Sequence, residues 1–281
     1  MNKLTIFDTH CHLADQKFQE QNKSTEEIIQ EAEKVGVKYI LNTGQDMPTN
    51  RLLIKQLNDF PNNLFGALGL HPNSNEDLKE ENLKWIEQQL TNKRIIAIGE
   101  IGLDYYRIFT DIETQKYWFT KQLELAKKYD LPVLLHIRGE EAEKKFMEAF
   151  NDAYQIVEKS GIKKGILHCF TGTWGIAQKF IELGFYISFA GNITYKNAKW
   201  KDKWGEALEK TPLEKMVVET DAPYLSPGTL RGKGSNYPQN IIYTLKKIAE
   251  IRKIDWEKVA AQTSHNALRM LGLTEEGKIR V

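Results

Sequence analysis

The sequence predicts a (β/α)8 TIM barrel with a metal site on the C-terminal rim of its strands. Three observations point there. Short apolar runs rich in β-branched residues alternate with longer amphipathic stretches along the whole chain. Eight such runs can be counted. Six side chains able to bind metal (His10, His12, Glu100, His136, His168 and Asp221) fall where five of those runs end and loops begin. Parallel strands joined by helices all point one way, so their C-terminal ends share one rim, where barrel enzymes place their chemistry. An open doubly wound sheet also alternates strand and helix, but it would spread those ends along a line.

The predicted strands cover residues 4–7, 38–42, 64–70, 95–99, 132–135, 165–167, 186–189 and 216–219. Ser24-Thr25-Glu26-Glu27 has the pattern of a capped start to the first helix. In the stretch 111–129, Trp118, Leu123, Leu125 and Ala126 recur on one side, as a packed helix requires. Trp200 and Trp204 are four apart and share a helix face. Packing against neighbouring helices is the expected role of both and of Trp174. Residues 255–271 read as two short helices closing the barrel. From 221 to about 239 neither periodicity is visible, and a loop that long in a compact domain is often functional. No linker or low-complexity segment divides the chain, so residues 1–281 read as one barrel domain.

Bulk properties narrow the function classes. With 41% hydrophobic and 27% charged residues the chain has the make-up of an ordinary soluble globular protein. A net charge of +1 provides no global field for nucleic acid or membrane, so an anionic substrate must be gripped locally. No apolar run approaches the ~20 residues needed to span a bilayer. A cleaved leader is not expected, because it would remove Asp8, His10 and His12. Cys11 and Cys169 each follow a candidate ligand. Strand alternation would turn both thiols away from the metal side, so reduced thiols in a cytoplasmic protein are expected. A monomer is expected.

Side chains two apart in extended chain point the same way, so His10 and His12 can grip one ion together. Asp8 shares that face and is expected to orient an imidazole. Glu100 is the natural bridge between two ions, one oxygen on each, while Gly99 and Gly102 let backbone approach closely. Asp104 reads more simply as a loop aspartate capping a helix. His136 and His168 supply neutral nitrogens for a second ion. Asp221 completes the first ion's shell and is the expected base. Arg138 suits a phosphate as a two-pronged donor, its alternative being an ion pair with Glu140 or Glu141. His71, also at a strand end, is expected to reach the substrate, as are Arg231 and Lys233 in the long loop. His265, in the tail, is read as structural.

Four motifs together resemble the TatD family: Phe7-Asp8-Thr9-His10-Cys11-His12, Gly99-Glu100-Ile101-Gly102-Leu103-Asp104-Tyr105, His168-Cys169-Phe170-Thr171-Gly172 and Thr220-Asp221-Ala222-Pro223-Tyr224-Leu225. Asn266-Ala267-Leu268-Arg269 is similar to that family's closing helix. The resemblance implies a barrel hydrolase of the wider amidohydrolase superfamily. It implies two divalent ions (Zn, Mg or Mn) and phosphodiester cleavage in DNA, often 3′ to 5′ from single-stranded ends. It carries metal roles onto the six residues already named. Two positions depart from the pattern. Asn73 stands where the family often has a second histidine, and Tyr237 where it often has a glutamate.

The expected reaction is phosphodiester hydrolysis, with Asp221 taking the proton of the attacking water and the ions offsetting charge on the phosphoryl oxygens. An amidohydrolase or lactonase on the same scaffold is the first rival, but many such enzymes bridge their metals with a modified lysine where this chain has Glu100. Ester cleavage on aminoacyl-tRNA would use the same chemistry. A non-catalytic nucleic-acid-binding barrel with a structural metal is the second rival. Structural sites usually close their shell with four protein ligands, and six histidine and carboxylate groups suit open ions better.

Overall fold

The computed structural model describes residues 4–21, 23–139, 143–196 and 205–280. Its sheet contains β1 (Ile6–Cys11), β2 (Val37–Thr43), β3 (Leu64–Leu68), β4 (Ile95–Asp104), β5 (Val133–Arg138), β6 (Gly165–Leu167), β7 (Tyr186–Phe189) and β8 (Met216–Val218). They lie in chain order, and every neighbouring pair is parallel. The circle closes at the rim rather than along the last strand. Asp221 N–H donates to His10 O at 2.9 Å, and His12 N–H to Ala222 O at 2.7 Å. The closing hydrogen bonds thus bring the His10–His12 pair against Asp221. The barrel predicted from the alternation is the fold observed.

Helices cover the outside: α1 (Gln16–Gln19), α2 (Thr25–Lys34), α3 (Met47–Asp59), α4 (Glu80–Gln89), α5 (Ile112–Lys128), α6 (Glu143–Ser160), α7 (Trp174–Glu182), α8 (Glu206–Lys210), α9 (Ile241–Arg252) and α10 (Trp256–Met270). Ser24 and Glu27 form the expected capping box on α2. Asp111 caps α5, which buries Trp118, Leu123, Leu125 and Ala126. The tail differs from expectation. It is one helix, α10, capped by Asp255, because Val259, Thr263, Ala267 and Met270 keep one buried face without a break. Trp174 packs against the core, as expected. Trp200 and Trp204 lie outside the described residues.

Two cores separate the layers. The larger lies between strands and helices. The smaller joins Tyr39, Phe65, Leu134, Ile166 and Val217 with Leu268 and Met270 of α10. It fills the barrel interior and lets the tail close it. Two residues further along the same strand faces, His136 follows Leu134, His168 follows Ile166 and Glu219 follows Val217. The lower interior is apolar and its upper end is titratable.

Candidate metal centre

Register irregularities fall at two of the metal-capable segments. Asp8 and Cys11 of β1 sit opposite Ile40 and Asn42, so β1 carries one extra residue. Ile98 and Ile101 of β4 sit opposite Val133 and Leu135, so β4 does too. Such bulges re-aim side chains. Beyond the second, Gly102 faces His136 and Asp104 faces Arg138. A Cβ on Gly102, whose φ is +143°, would stand 2.0 Å from the His136 carbonyl oxygen. Glycine therefore allows β4 and β5 to approach where Glu100 and His136 meet. His10, Glu100 and His136 lie inside strands rather than after them, because these strands run further than their apolar runs.

The six predicted ligands converge. His10 Nε2 and His12 Nε2 are 3.0 Å apart. Both lie 3.5 Å from Glu100 Oε2. Asp221 Oδ1 is 3.4 Å from His12 Nε2 and 3.8 Å from His10 Nε2. The other oxygen, Glu100 Oε1, lies 2.7 Å from His136 Nδ1 and 3.3 Å from His168 Nε2. Each Glu100 oxygen thus faces a different histidine pair, and the pairs adjoin where the His10 and His168 rings stack 3.7 Å apart. Two acceptor nitrogens 3.0 Å apart repel unless a proton or cation lies between them. Donors ~2.0–2.1 Å from one zinc stand about 2.9–3.4 Å apart at ordinary coordination angles. The separations of 3.0, 3.3 and 3.4 Å fall in that range, so these side chains fit a divalent cation. His10, His12, Glu100, His168 and Asp221 are all less than 10% exposed, a costly burial for polar groups without partners.

Neighbours pin the imidazoles. His12 Nδ1–H donates to Thr43 O at 2.9 Å, which leaves Nε2 free to face the cluster. His168 Nδ1 lies 2.9 Å from Glu219 Oε1. Glu219, fully buried, also accepts from Cys169 N–H and Ser188 Oγ–H, each at 2.6 Å. Burial alone would raise the Glu100 carboxyl, but His168, His10 and His136 hold it well below the usual range. Burial is likewise overcome at Asp221, whose carboxyl His12 and His168 hold down.

Several expectations change. Asp8 orients no ring. Its carboxylate accepts from Thr220 N–H at 2.9 Å and Thr220 Oγ–H at 2.5 Å, and from the backbone N–H of His10 at 3.3 Å. The extra residue in β1 breaks the alternation that would have put Asp8 beside the imidazoles. Asp104 caps no helix. It ends β4, accepts from Tyr106 N–H and Arg107 N–H, and approaches His136 Nε2 to 3.3 Å. Both cysteines are free. Cys169, however, lines the cavity beside His136, His168 and Asp221. It follows β6 at φ +44°, where strand alternation no longer applies.

The expected substrate residues scatter. Arg138 lines that cavity, of about 210 Å³, and its guanidinium lies 4.2 Å from the Tyr106 ring centre. Glu140 and Glu141, its alternative partners, lie outside the described residues. His71 joins the cluster itself, 3.8 Å from Glu100 Oε1 and with its ring 4.4 Å from that of His136. Its Nδ1 accepts from Asn73 N–H at 3.1 Å, which puts the proton of the neutral ring on Nε2, where it suits an anion. Burial, with His136 beside it, pushes His71 down to about 3. Arg231 stacks over Tyr195 at 4.5 Å and Lys233 is exposed on the same loop. Neither is among the residues lining the cavity. Tyr237 points away from the centre, packing on Phe18 and donating to Gln21 Oε1. His265 pairs with Glu275 at the surface.

Glu219 is a functional candidate absent from the sequence expectations, and Asp104 enters them only as a helix cap. Each had a signal. Glu219 is two residues before Asp221 and two after the inward Val217, and Asp104 is four after Glu100.

A parallel barrel whose rim gathers histidines and carboxylates has the make-up of a metal-dependent enzyme. A profile of TatD related DNases matches residues 7–272, and the chain belongs to that family. The uncharacterized metal-dependent hydrolase YabD of Bacillus subtilis is 34% identical over 267 residues, covering 94% of this chain and 98% of the relative. YcfH of Escherichia coli, also an uncharacterized metal-dependent hydrolase, is 30% identical over 268 residues, covering 94% and 95%. Among solved structures, the TatD homologue YjjV of Escherichia coli superposes with a TM-score of 0.82 at 26% identity, covering 96% of this chain and 98% of that one. A Thermus D-hydantoinase shares the fold at a TM-score of 0.65 and 15% identity, covering 98% of this chain and 72% of that one. No helix among the described residues is long and apolar enough to cross a membrane.

Proposed function

We propose that this chain hydrolyses phosphodiester bonds in DNA, removing nucleotides 3′ to 5′ from single-stranded ends, with two divalent cations. His10, His12, Glu100 and Asp221 would hold one; Glu100, His136 and His168 the other. The observation that carries this reading is Glu100, whose two oxygens face two adjoining histidine pairs, His10 with His12 and His136 with His168. When bound, such cations supply Lewis acidity and lower the pKa of water.

The chain's own groups do the rest. Asp221, kept ionised beside His12, takes a proton from the attacking water. Arg138 clamps the phosphate from the cavity wall. His71 offers an uncharged N–H to the developing negative charge. Thr43 holds the His12 ring by a hydrogen bond, and Glu219 attracts the His168 ring as an ion-pair partner, so the opposite nitrogens face the cluster. Two free thiols accord with a cytoplasmic setting.

The test is chelated protein on single-stranded DNA labelled at either end, with Zn, Mg and Mn each added back. Chelation is expected to stop cleavage, and one of the metals to restore stepwise shortening from the 3′ end. Metal-independent cleavage, or turnover confined to a lactone or a charged tRNA, would overturn the proposal.

A further inference from the structure

The loop between β4 and α5 presents three apolar side chains to solvent. Tyr106 is 43% exposed, Ile108 56% and Phe109 71%. Exposed apolar residues this close together on a rim invite a partner. Their exposure does not come from a slack backbone. Asp104 Oδ1 accepts from Tyr106 N–H at 2.9 Å and from Arg107 N–H at 2.8 Å. Gln115, buried on α5, accepts from Asp104 N–H and donates to the carbonyls of Asp104 and Thr110. Both ends of the segment are clamped to the barrel, and its apolar side chains are held outward.

Two further observations say what it faces. Asp104 is the same carboxylate that reaches His136 and accepts from Asn73. The Arg138 guanidinium spans the boundary, lining the ligand cavity while lying over the Tyr106 ring. The loop also carries the exposed Arg107. Cations and aromatic rings interleaved beside a cavity lined by an arginine are the composition that holds unstacked bases with their phosphates.

We infer that Tyr106, Ile108 and Phe109 form a platform on which a base of the substrate strand stacks, while Arg138 directs the adjoining phosphate into the metal centre. The inference rests on the phosphodiesterase reading. Bases in an intact duplex are stacked on each other and cannot use such a surface, so the platform selects strands with a free base face.

The experiment uses the full-length, metal-loaded protein with two single-stranded substrates of equal length, one bearing bases and one made of abasic sites. The Ile108→Ala/Phe109→Ala double variant removes exposed side chains only, and circular dichroism checks its fold. The variant is expected to raise KM about tenfold on the base-bearing strand, the loss of stacking by one base. On the abasic strand it is expected to match wild type. A parallel binding assay with 2-aminopurine in the strand and chelated protein should show quenching by wild type that the variant loses. Equal KM for wild type and variant on the base-bearing strand would overturn the platform while leaving the nuclease reading intact. Quenching by the chelated protein, with no cleavage of either strand by the metal-loaded protein, would uphold base stacking on this loop and overturn the nuclease reading. A variant that turns a dimer into a monomer in sedimentation, with binding unchanged, would show the surface to be a contact between copies and overturn the inference.

Discussion

The inner and outer parts of the rim are built differently. Inside, His10, His12, Glu100, His168 and Asp221 are buried and brace one another, on strands or directly after them. Outside, Tyr106, Phe109, Arg231 and Lys233 stand in solvent on loops. Burial makes the inner groups sensitive to any change of charge, because a partner removed leaves another uncompensated. The outer groups work by shape and charge near water, where single contacts are weak. The inner rim should therefore decide whether chemistry happens, and the outer rim on what.

Substitutions can break that division, beginning where the effect is largest. Glu100→Ala should reduce cleavage to background with the fold retained by circular dichroism, since it removes the carboxylate common to both histidine groups. Asp221→Asn should lower kcat by about 10²–10⁴-fold, the range for losing a general base. Full activity in either variant would refute the assignments. Glu219→Gln should cost roughly 10–100-fold in metal affinity or activity, as loss of a carboxylate behind a liganding histidine does. Equilibrium dialysis of the variant would reveal it, and wild-type affinity would show that Glu219 merely packs.

Proton linkage sharpens the inner half. Burial alone would lower His12 and His168, but Asp221, Glu100 and Glu219 outweigh it and lift them to about 9 and about 10 in the cation-free protein. Both rings then keep a proton at neutral pH, and a cation must displace it. Metal affinity should climb as pH rises toward 9, with protons released to the buffer on calorimetric titration at pH 7. Affinity independent of pH would contradict this. Because both values are raised above 6.5, the cation-free fold keeps the associated stability below pH 6.5 and loses it as pH passes through 9 to 10. At the outer rim, Arg138→Lys keeps the charge but loses the two-pronged grip, and KM for DNA should rise several-fold with kcat little changed. A fall in kcat alone would move Arg138 into the inner set.

The difference between the two parts also explains what could be read from the chain. Strand periodicity exposed the barrel, and His136 and His168 follow inward apolar residues at the spacing that rule requires. The same rule failed at Asp8, because one extra residue in β1 has no mark in the sequence. Glu219 and Asp104 obey the same rule, each at an even spacing from an inward position. Loops carry no such rule. The backbone turn that brings Cys169 into the cavity, and the Gln115 clamp that holds Phe109 outward, depend on contacts made only after the chain has folded.

The central claim is that Glu100 joins two cation sites, and metal content measures it most directly. Chelated full-length protein should be reconstituted with zinc, dialysed and analysed for zinc per chain. Wild type should retain about two ions and Glu100→Ala at most one. A single ion in wild type, or two retained without the Glu100 carboxylate, would contradict it.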